Sequence, residues 1–279
     1  MDNITRCTDI LRKTQRLLVI SGAGISAESG ISTYRGPNGV YSNNPDLLST
    51  MSAEGLRMDR DKIWKHIEEI RLQCLDADPN AAHRILAQWE QEQRFSEFLI
   101  ATQNIDGLHQ KAGSDRVSEL HGSLWQLARP RTKSFTEDDQ FSEDLKLMSY
   151  PEMRDEILRR WSEENQQEIW EYLTVPFPHI PPFDDPAIRP NILLFNEPYG
   201  SRLVWVEDFI KRKPDTILVI GCSGQVTVLP QLLAQCREAN PDCQIININP
   251  YEDCIGISHE YISVTSSVAL ITIHRLIIA

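Results

Sequence analysis

The sequence predicts an α/β fold, a parallel sheet with helices on both faces. Short apolar runs at 17–20, 98–101, 216–220 and 244–249 have the composition of strands buried on both sides. Helical periodicities separate them, and that alternation builds a covered parallel sheet. The first run passes straight into Gly22-Ala23-Gly24-Ile25-Ser26-Ala27. That fits the G-x-G-x-x-G/A pattern, whose backbone turns tightly and comes close to a pyrophosphate. The expected sheet is therefore Rossmann-like. A helix opening at this turn would direct unpaired N–H groups at the phosphates. The acidic residue expected about 20 positions further on has only one candidate in 43–50, Asp46. A nucleotide is expected, without the usual carboxylate on its ribose.

The elements follow in order. Residues 3–14 read as a short amphipathic helix leading into the first strand. Residues 37–50, rich in Pro, Asn, Gly and Ser, read as a loop over the glycine turn. Residues 54–75 carry Ile63, Trp64, Ile67 and Ile70 at helical spacing. Pro79-Asn80 starts another helix, which runs through Ile85, Leu86 and Trp89. Strands are expected at 98–101, 117–120 and 192–195, and a helix at 228–239. Residues 129–185 are polar and charged, with a helix-like run at 151–173 and a proline-rich close. They read as a small inserted module, leaving 1–128 and 186–279 as the main domain.

Composition narrows the function. The 279 residues suffice for one large domain, or one carrying a smaller module. The formal charge of −12 and pI near 5.1 disfavour binding to nucleic-acid phosphate. They would suit a basic peptide, although ordinary solubility is the plainer reading. The six cysteines are scattered, with no C-x-x-C pair, as in a reduced cytoplasmic protein. The N-terminus lacks the apolar core of a secretion signal, and no run of roughly 18 apolar residues spans a membrane.

A second motif, Thr102-Gln103-Asn104-Ile105-Asp106-Gly107-Leu108-His109, follows a buried strand, and Leu120-His121-Gly122 closes the next. Ligands sit at the carboxyl ends of such strands. Taken with the glycine loop, these motifs resemble the sirtuin family, the NAD-dependent protein-lysine deacylases. Residues 22–31 resemble that family's first motif, and Tyr34-Arg35-Gly36 its Phe-Arg-Gly element. Residues 102–113 resemble its second motif and His121-Gly122 its third. Gly221-Cys222-Ser223 with Val226 resembles its Gly-Thr-Ser-x-x-Val element, and Asn249 stands where the family has a ribose-contacting Asn.

The resemblance implies cleavage of the nicotinamide–ribose bond of NAD and transfer of an acyl group from lysine to ADP-ribose. His121 would be the general base on a ribose hydroxyl, a role suited to an imidazole. Gln103, Asn104 and Asp106 would serve the nicotinamide and ribose end. Gly22, Ala23, Gly24, Ser26, Ala27, Tyr34, Arg35, Ile105, Gly221, Cys222, Ser223 and Asn249 would complete the cofactor site. Leu194, Phe195, Asn196 and Glu197 resemble the strand that pairs with the substrate peptide. Duller roles are open as well: Asp106 as a helix cap, His109 and His83 as structural groups, and Trp125 as core. The alternative acceptors define two other enzymes on the same fold. Water would give an NAD glycohydrolase, and a protein side chain an ADP-ribosyltransferase. A non-catalytic NAD sensor is the third reading.

Three departures from the family stand out. Typical sirtuins hold a structural zinc with two cysteine pairs after the His-Gly. This chain has no cysteine between Cys74 and Cys222, and 129–185 contains one histidine, His179. No zinc is expected; Trp161, Trp170, Tyr172, Phe177 and Phe183 are the candidates for holding the module. Asn196 replaces a usual glycine, and Asn tolerates the left-handed backbone better than most residues. The region before Pro79 lacks the Tyr-x-x-Arg of sirtuins that remove acidic acyl groups, so short neutral acyl groups are expected.

Overall fold

The structure, a computed structural model, describes residues 3–33, 39–40, 44, 46–128, 189–251 and 255–278. The expected module at 129–185 lies outside the described residues, with His179 and its aromatic candidates, as do Tyr34, Arg35 and Cys254.

Helix α1 (Asn3–Lys13) leads into β1 (Arg16–Ser21). Helices α2 (Asp46–Thr50), α3 (Ala53–Met58), α4 (Arg60–Leu75) and α5 (Ala81–Gln91) precede β2 (Glu97–Thr102). The short α6 (Leu108–Lys111), β3 (Val117–Glu119) and β4 (Gly122–Ala128) follow. Beyond the module come β5 (Arg189–Ile192), α7 (Val204–Lys211), β6 (Thr216–Ile220), α8 (Val228–Ala239), β7 (Gln244–Ile248), β8 (Glu260–Ile262) and α9 (Ser266–Ile278). Six strands form one sheet in the order β3-β2-β1-β6-β7-β8, and every pair is parallel. This is the Rossmann-like α/β fold that the strand alternation predicts.

The apolar strands work on both faces at once. In β1, Leu17 and Val19 join the core beneath α1, α5 and α9. Leu18 and Ile20 join the opposite core beneath α7 and α8. Successive side chains of a strand point to opposite faces, so a strand covered on both sides must be apolar throughout. A third cluster, with Trp64, Ile67, Trp125, Ile192 and Leu194, fills the space under α2–α4.

Four expectations are corrected. The glycine turn opens no α-helix: two short 3-10 turns, Ala23–Ile25 and Ala27–Ser29, follow β1, so no long helix dipole stands behind it. The loop expected at 37–50 contains α2. The helix expected at 54–75 is two helices, because Asp59 leaves the helical backbone (φ −148°, ψ 80°) and its carboxylate accepts from the Lys62 N–H at 3.0 Å. The strand expected at 192–195 runs over Arg189–Ile192 and pairs antiparallel with β4, outside the main sheet. The helix start at Asn80 stands as expected, with its side chain accepting from the Ala82 N–H at 2.9 Å.

Strand order reverses between β1 and β6, and ligands of such sheets bind outside the carboxyl ends at that point. There the two loops touch. The Gly24 N–H donates to the Gly221 carbonyl at 2.9 Å, and a Cβ on Gly24 would lie 2.7 Å from Gly221 Cα. Gly221 itself has φ +63°. The Gly221→Ala variant is expected to lose about 2–4 kcal/mol from left-handed backbone and overpacking together. A urea titration with unchanged m-value checks this.

Candidate active site

The carboxyl ends of β1, β2, β6 and β7 carry one connected set of polar groups. Asn104, after β2, donates through Nδ2 to the Gly22 carbonyl at 3.2 Å and to Ser26 Oγ at 3.1 Å. Ser26 Oγ donates in turn to Asp106 Oδ2 at 2.7 Å. Asp106 Oδ1 accepts from the Leu108 N–H, the first of α6, at 2.9 Å, while Gly107 is the helix's N-cap. Burial raises the Asp106 carboxyl, against the Leu108 N–H and the Ser26 hydroxyl, which favour the carboxylate. Trp125 is buried and donates from Nε1 to the Asp106 carbonyl at 2.7 Å, a core role. The Ile105 carbonyl accepts from the Leu124 N–H at 2.9 Å, which fixes the run between Asn104 and Asp106.

The same lattice reaches the β6 and β7 loops. The Gln103 N–H donates to the Ser21 carbonyl at 2.9 Å, and its Nε2 lies 3.7 Å from Cys222 Sγ. The Cys222 thiol is buried between the Ile20 and Ile220 carbonyls. Asn249 Nδ2 donates to the Cys222 carbonyl at 2.8 Å. Ser223 is partly buried beside it, Ala23 is partly buried, and Ala27 is exposed. So Gly22, Gly24, Ser26, Gln103, Asn104, Asp106, Gly221, Cys222 and Asn249, predicted from four separate stretches, meet at one place.

His121 joins this group from the turn after β3. It is partly buried, its ring bonds to the backbone of Gln103, and its carbonyl accepts from the Leu193 N–H at 2.8 Å. Burial, helped by the Arg202 charge, lowers its pKa to about 4 against the Gln103 bond. The imidazole is neutral at neutral pH and able to accept a proton. Its Nε2 lies 3.1 Å from the Tyr199 hydroxyl. Neither Tyr199 nor Arg202 was legible in the sequence, since the turn they belong to carries no motif that links it to His121, 78 residues from Tyr199. Glu119, two residues before His121, is pushed up to about 7 by burial. His109 and His83 lie behind the site. His109 Nε2 meets Ser21 Oγ at 2.9 Å, and the two rings pack edge to face at 4.9 Å.

Residues 194–197 follow Leu193, whose N–H is bonded to the His121 carbonyl. The Phe195 N–H donates to the Met51 carbonyl, and its own carbonyl accepts from the Ala53 N–H. Leu194 is buried in the third cluster. Asn196 is exposed at φ +68°, in the left-handed conformation that the substitution for glycine implies. Glu197 turns inward to an ion pair with Arg189. Arg71, the arginine of the region before Pro79, is buried against Glu68 and donates to the Leu124 carbonyl at 2.8 Å.

Comparison with known proteins gives concordant results. The model of the Sir2 family matches residues 22–228. An NAD-dependent protein deacylase of Aquifex aeolicus is 31% identical over 240 residues, covering 85% of this chain and 84% of that protein. Another from Aeropyrum pernix is 30% identical over 251 residues, covering 90% and 87%. A solved Sir2 enzyme structure superposes with a TM-score of 0.73 at 26% identity, covering 99% of each chain.

Proposed function

The chain belongs to the Sir2 family, and we infer from that membership and from its site that it is an NAD-dependent protein-lysine deacylase. The observation that carries the assignment is the junction of a neutral, proton-accepting His121 with the Gln103–Asp106 run and the glycine loop. The chain fits NAD in one further respect. Glycines at 22, 24 and 221 bring the loops of β1 and β6 so close that side chains there would collide.

Bound NAD would supply the ADP-ribose that accepts the acyl group, with nicotinamide as the leaving group. The chain's residues do the rest. Gly22, Ala23, Gly24, Ala27 and Ser223 would line the phosphates and adenosine, with Asn249 and Cys222 shaping that end. Tyr34 and Arg35 are assigned to the cofactor site through their likeness to the family's Phe-Arg-Gly element. Asn104, Ile105 and Asp106 would hold the nicotinamide and ribose end, their positions set by Ser26 and Trp125. Gln103 would orient the ribose hydroxyls. After the acyl oxygen has displaced nicotinamide at the ribose carbon, His121 Nε2 would take a ribose hydroxyl proton as that hydroxyl attacks the acyl carbon. Pre-set geometry of this kind removes much of the orientation cost of the step.

An acyl-lysine peptide would run along Leu194–Glu197. Leu194 and Glu197 face inward and the backbone of Phe195 is paired with Met51 and Ala53, so the exposed, left-handed Asn196 would be the contact offered to the peptide. Arg71 is committed to Glu68 and Leu124, which supports preference for a neutral acyl group over an acidic one. We assign no structural zinc: residues 129–185 contain no cysteine and one histidine, too few thiolate and imidazole ligands for a tetrahedral site. The five described cysteines are buried and none is in a disulfide, which supports a reducing, cytoplasmic setting.

The test is to incubate the protein with NAD alone, with an acetyl-lysine peptide and with a succinyl-lysine peptide, following nicotinamide and acyl-ADP-ribose. Peptide-dependent release, faster with acetyl, is expected. Release without peptide would point to the glycohydrolase, and equal rates for the two peptides would end the acyl preference.

A further inference from the structure

The base has a neighbour that belongs to none of the motifs. Tyr199 precedes the short 3-10 turn Gly200–Leu203. Its hydroxyl lies 3.1 Å from His121 Nε2, with the ring centroids 5.7 Å apart and the planes inclined by 40°. The ring also bonds to the backbone of Gln103, in a bond that favours the protonated ring; with Nε2 turned to Tyr199, we assign that bond to Nδ1. A bond with that effect is one in which the carbonyl accepts from Nδ1–H. In the neutral imidazole the lone pair is then on Nε2, and the Tyr199 O–H is the donor to it. The nitrogen that must take the substrate's proton is already hydrogen-bonded.

We propose that Tyr199 is a positioning residue for the base: its hydroxyl fixes the His121 ring with Nε2 as acceptor and yields that nitrogen to a sugar hydroxyl during reaction. The proposal rests on the reading of His121 as the base. Two features of the surroundings fit it. Arg202, on the turn that follows Tyr199, disfavours a charged imidazole and is itself held by Asn191 Oδ1 at 2.7 Å. Glu119 interacts with Arg202, and burial leaves its carboxyl titrating near 7. Tyr199 is half-buried, and burial raises its phenol, so it is an O–H donor across the working pH range.

A donor to Nε2 stabilises only the neutral ring. Removing it therefore raises the His121 pKa and releases the ring's orientation. In the Tyr199→Phe variant, 15N NMR of the histidine side chains, assigned with a His121→Ala spectrum, is expected to show two changes. The His121 pKa rises by up to about one pH unit, and the single Nδ1–H tautomer becomes a mixture. In steady-state assays kcat falls severalfold while KM for NAD falls or holds, since the competing donor is gone. An unchanged tautomer and pKa in a folded variant overturn the proposal.

A wild-type titration with ADP-ribose is the second measurement, and it decides alone if the variant does not fold. The Tyr199 ring-carbon signal beside the hydroxyl should shift as the sugar takes its place on Nε2; an unmoved signal at saturation overturns the proposal. The two readings fail separately. Loss of peptide-dependent turnover in the wild type would remove the deacylase assignment while leaving the tautomer result standing.

Discussion

The His121→Ala variant is expected to lose about a hundred- to ten-thousand-fold in kcat for peptide deacylation, the range typical of a removed general base. The fold should survive, because His121 lies outside the three apolar clusters. Circular dichroism and ADP-ribose binding provide that control. The pH dependence follows from the same geometry. The base works when neutral, and burial holds its pKa at about 4, below the ordinary 6.5. Wild-type kcat/KM should therefore stay level as pH falls through 6.5 and decline only near 4. An acid limb at 6.5, or full activity in the alanine variant, would remove His121 from the role assigned to it.

The Glu197→Ala variant is expected to cost about 3–5 kcal/mol, because it leaves a buried guanidinium without its counter-charge. Arg189 Nη2 meets Glu197 Oε2 at 3.1 Å and the Ile192 carbonyl at 2.9 Å, and the same carboxylate oxygen accepts from the Leu194 N–H at 2.8 Å. The pair clips the end of β5 to the segment that passes His121. Denaturant titration checks the loss. Glu197→Gln, which keeps an acceptor but not the charge, should fall between. If the alanine variant is as stable as the wild type and only KM for peptide rises, Glu197 acts on substrate instead.

The site was far more legible than its surroundings. Gly22, Gly24 and Gly221 announce themselves because close backbone approach admits little else, and the structure brings them within contact. Asn104 and Asp106 stand out because polar side chains directly after a buried strand have few dull uses. The sequence offers no comparable signal for Tyr199, which lies 78 residues from His121 along the chain. Helix ends were legible where a cap was local, as at Asn80. Asp59 was missed because one capping carboxylate inside a continuous apolar pattern looks like an exposed helical position.

The amino-acid order by itself determined β1, β2, β3, β6 and β7, the glycine turn and the family, since two-face burial and tight turns act through residues close in the chain. At Asn196, where the family usually has glycine, the sequence allowed a left-handed backbone, and the structure shows it. Only the tertiary structure decided that Arg189–Ile192 pairs with Gly122–Ala128 away from the main sheet. It alone decided that Phe195 bonds to Met51 and Ala53, and that Tyr199 faces the imidazole. Those outcomes depend on which distant segments come to share a space, and on how much water that leaves around each charge. The same burial sets the His121 pKa near 4, and no local pattern of residues encodes it.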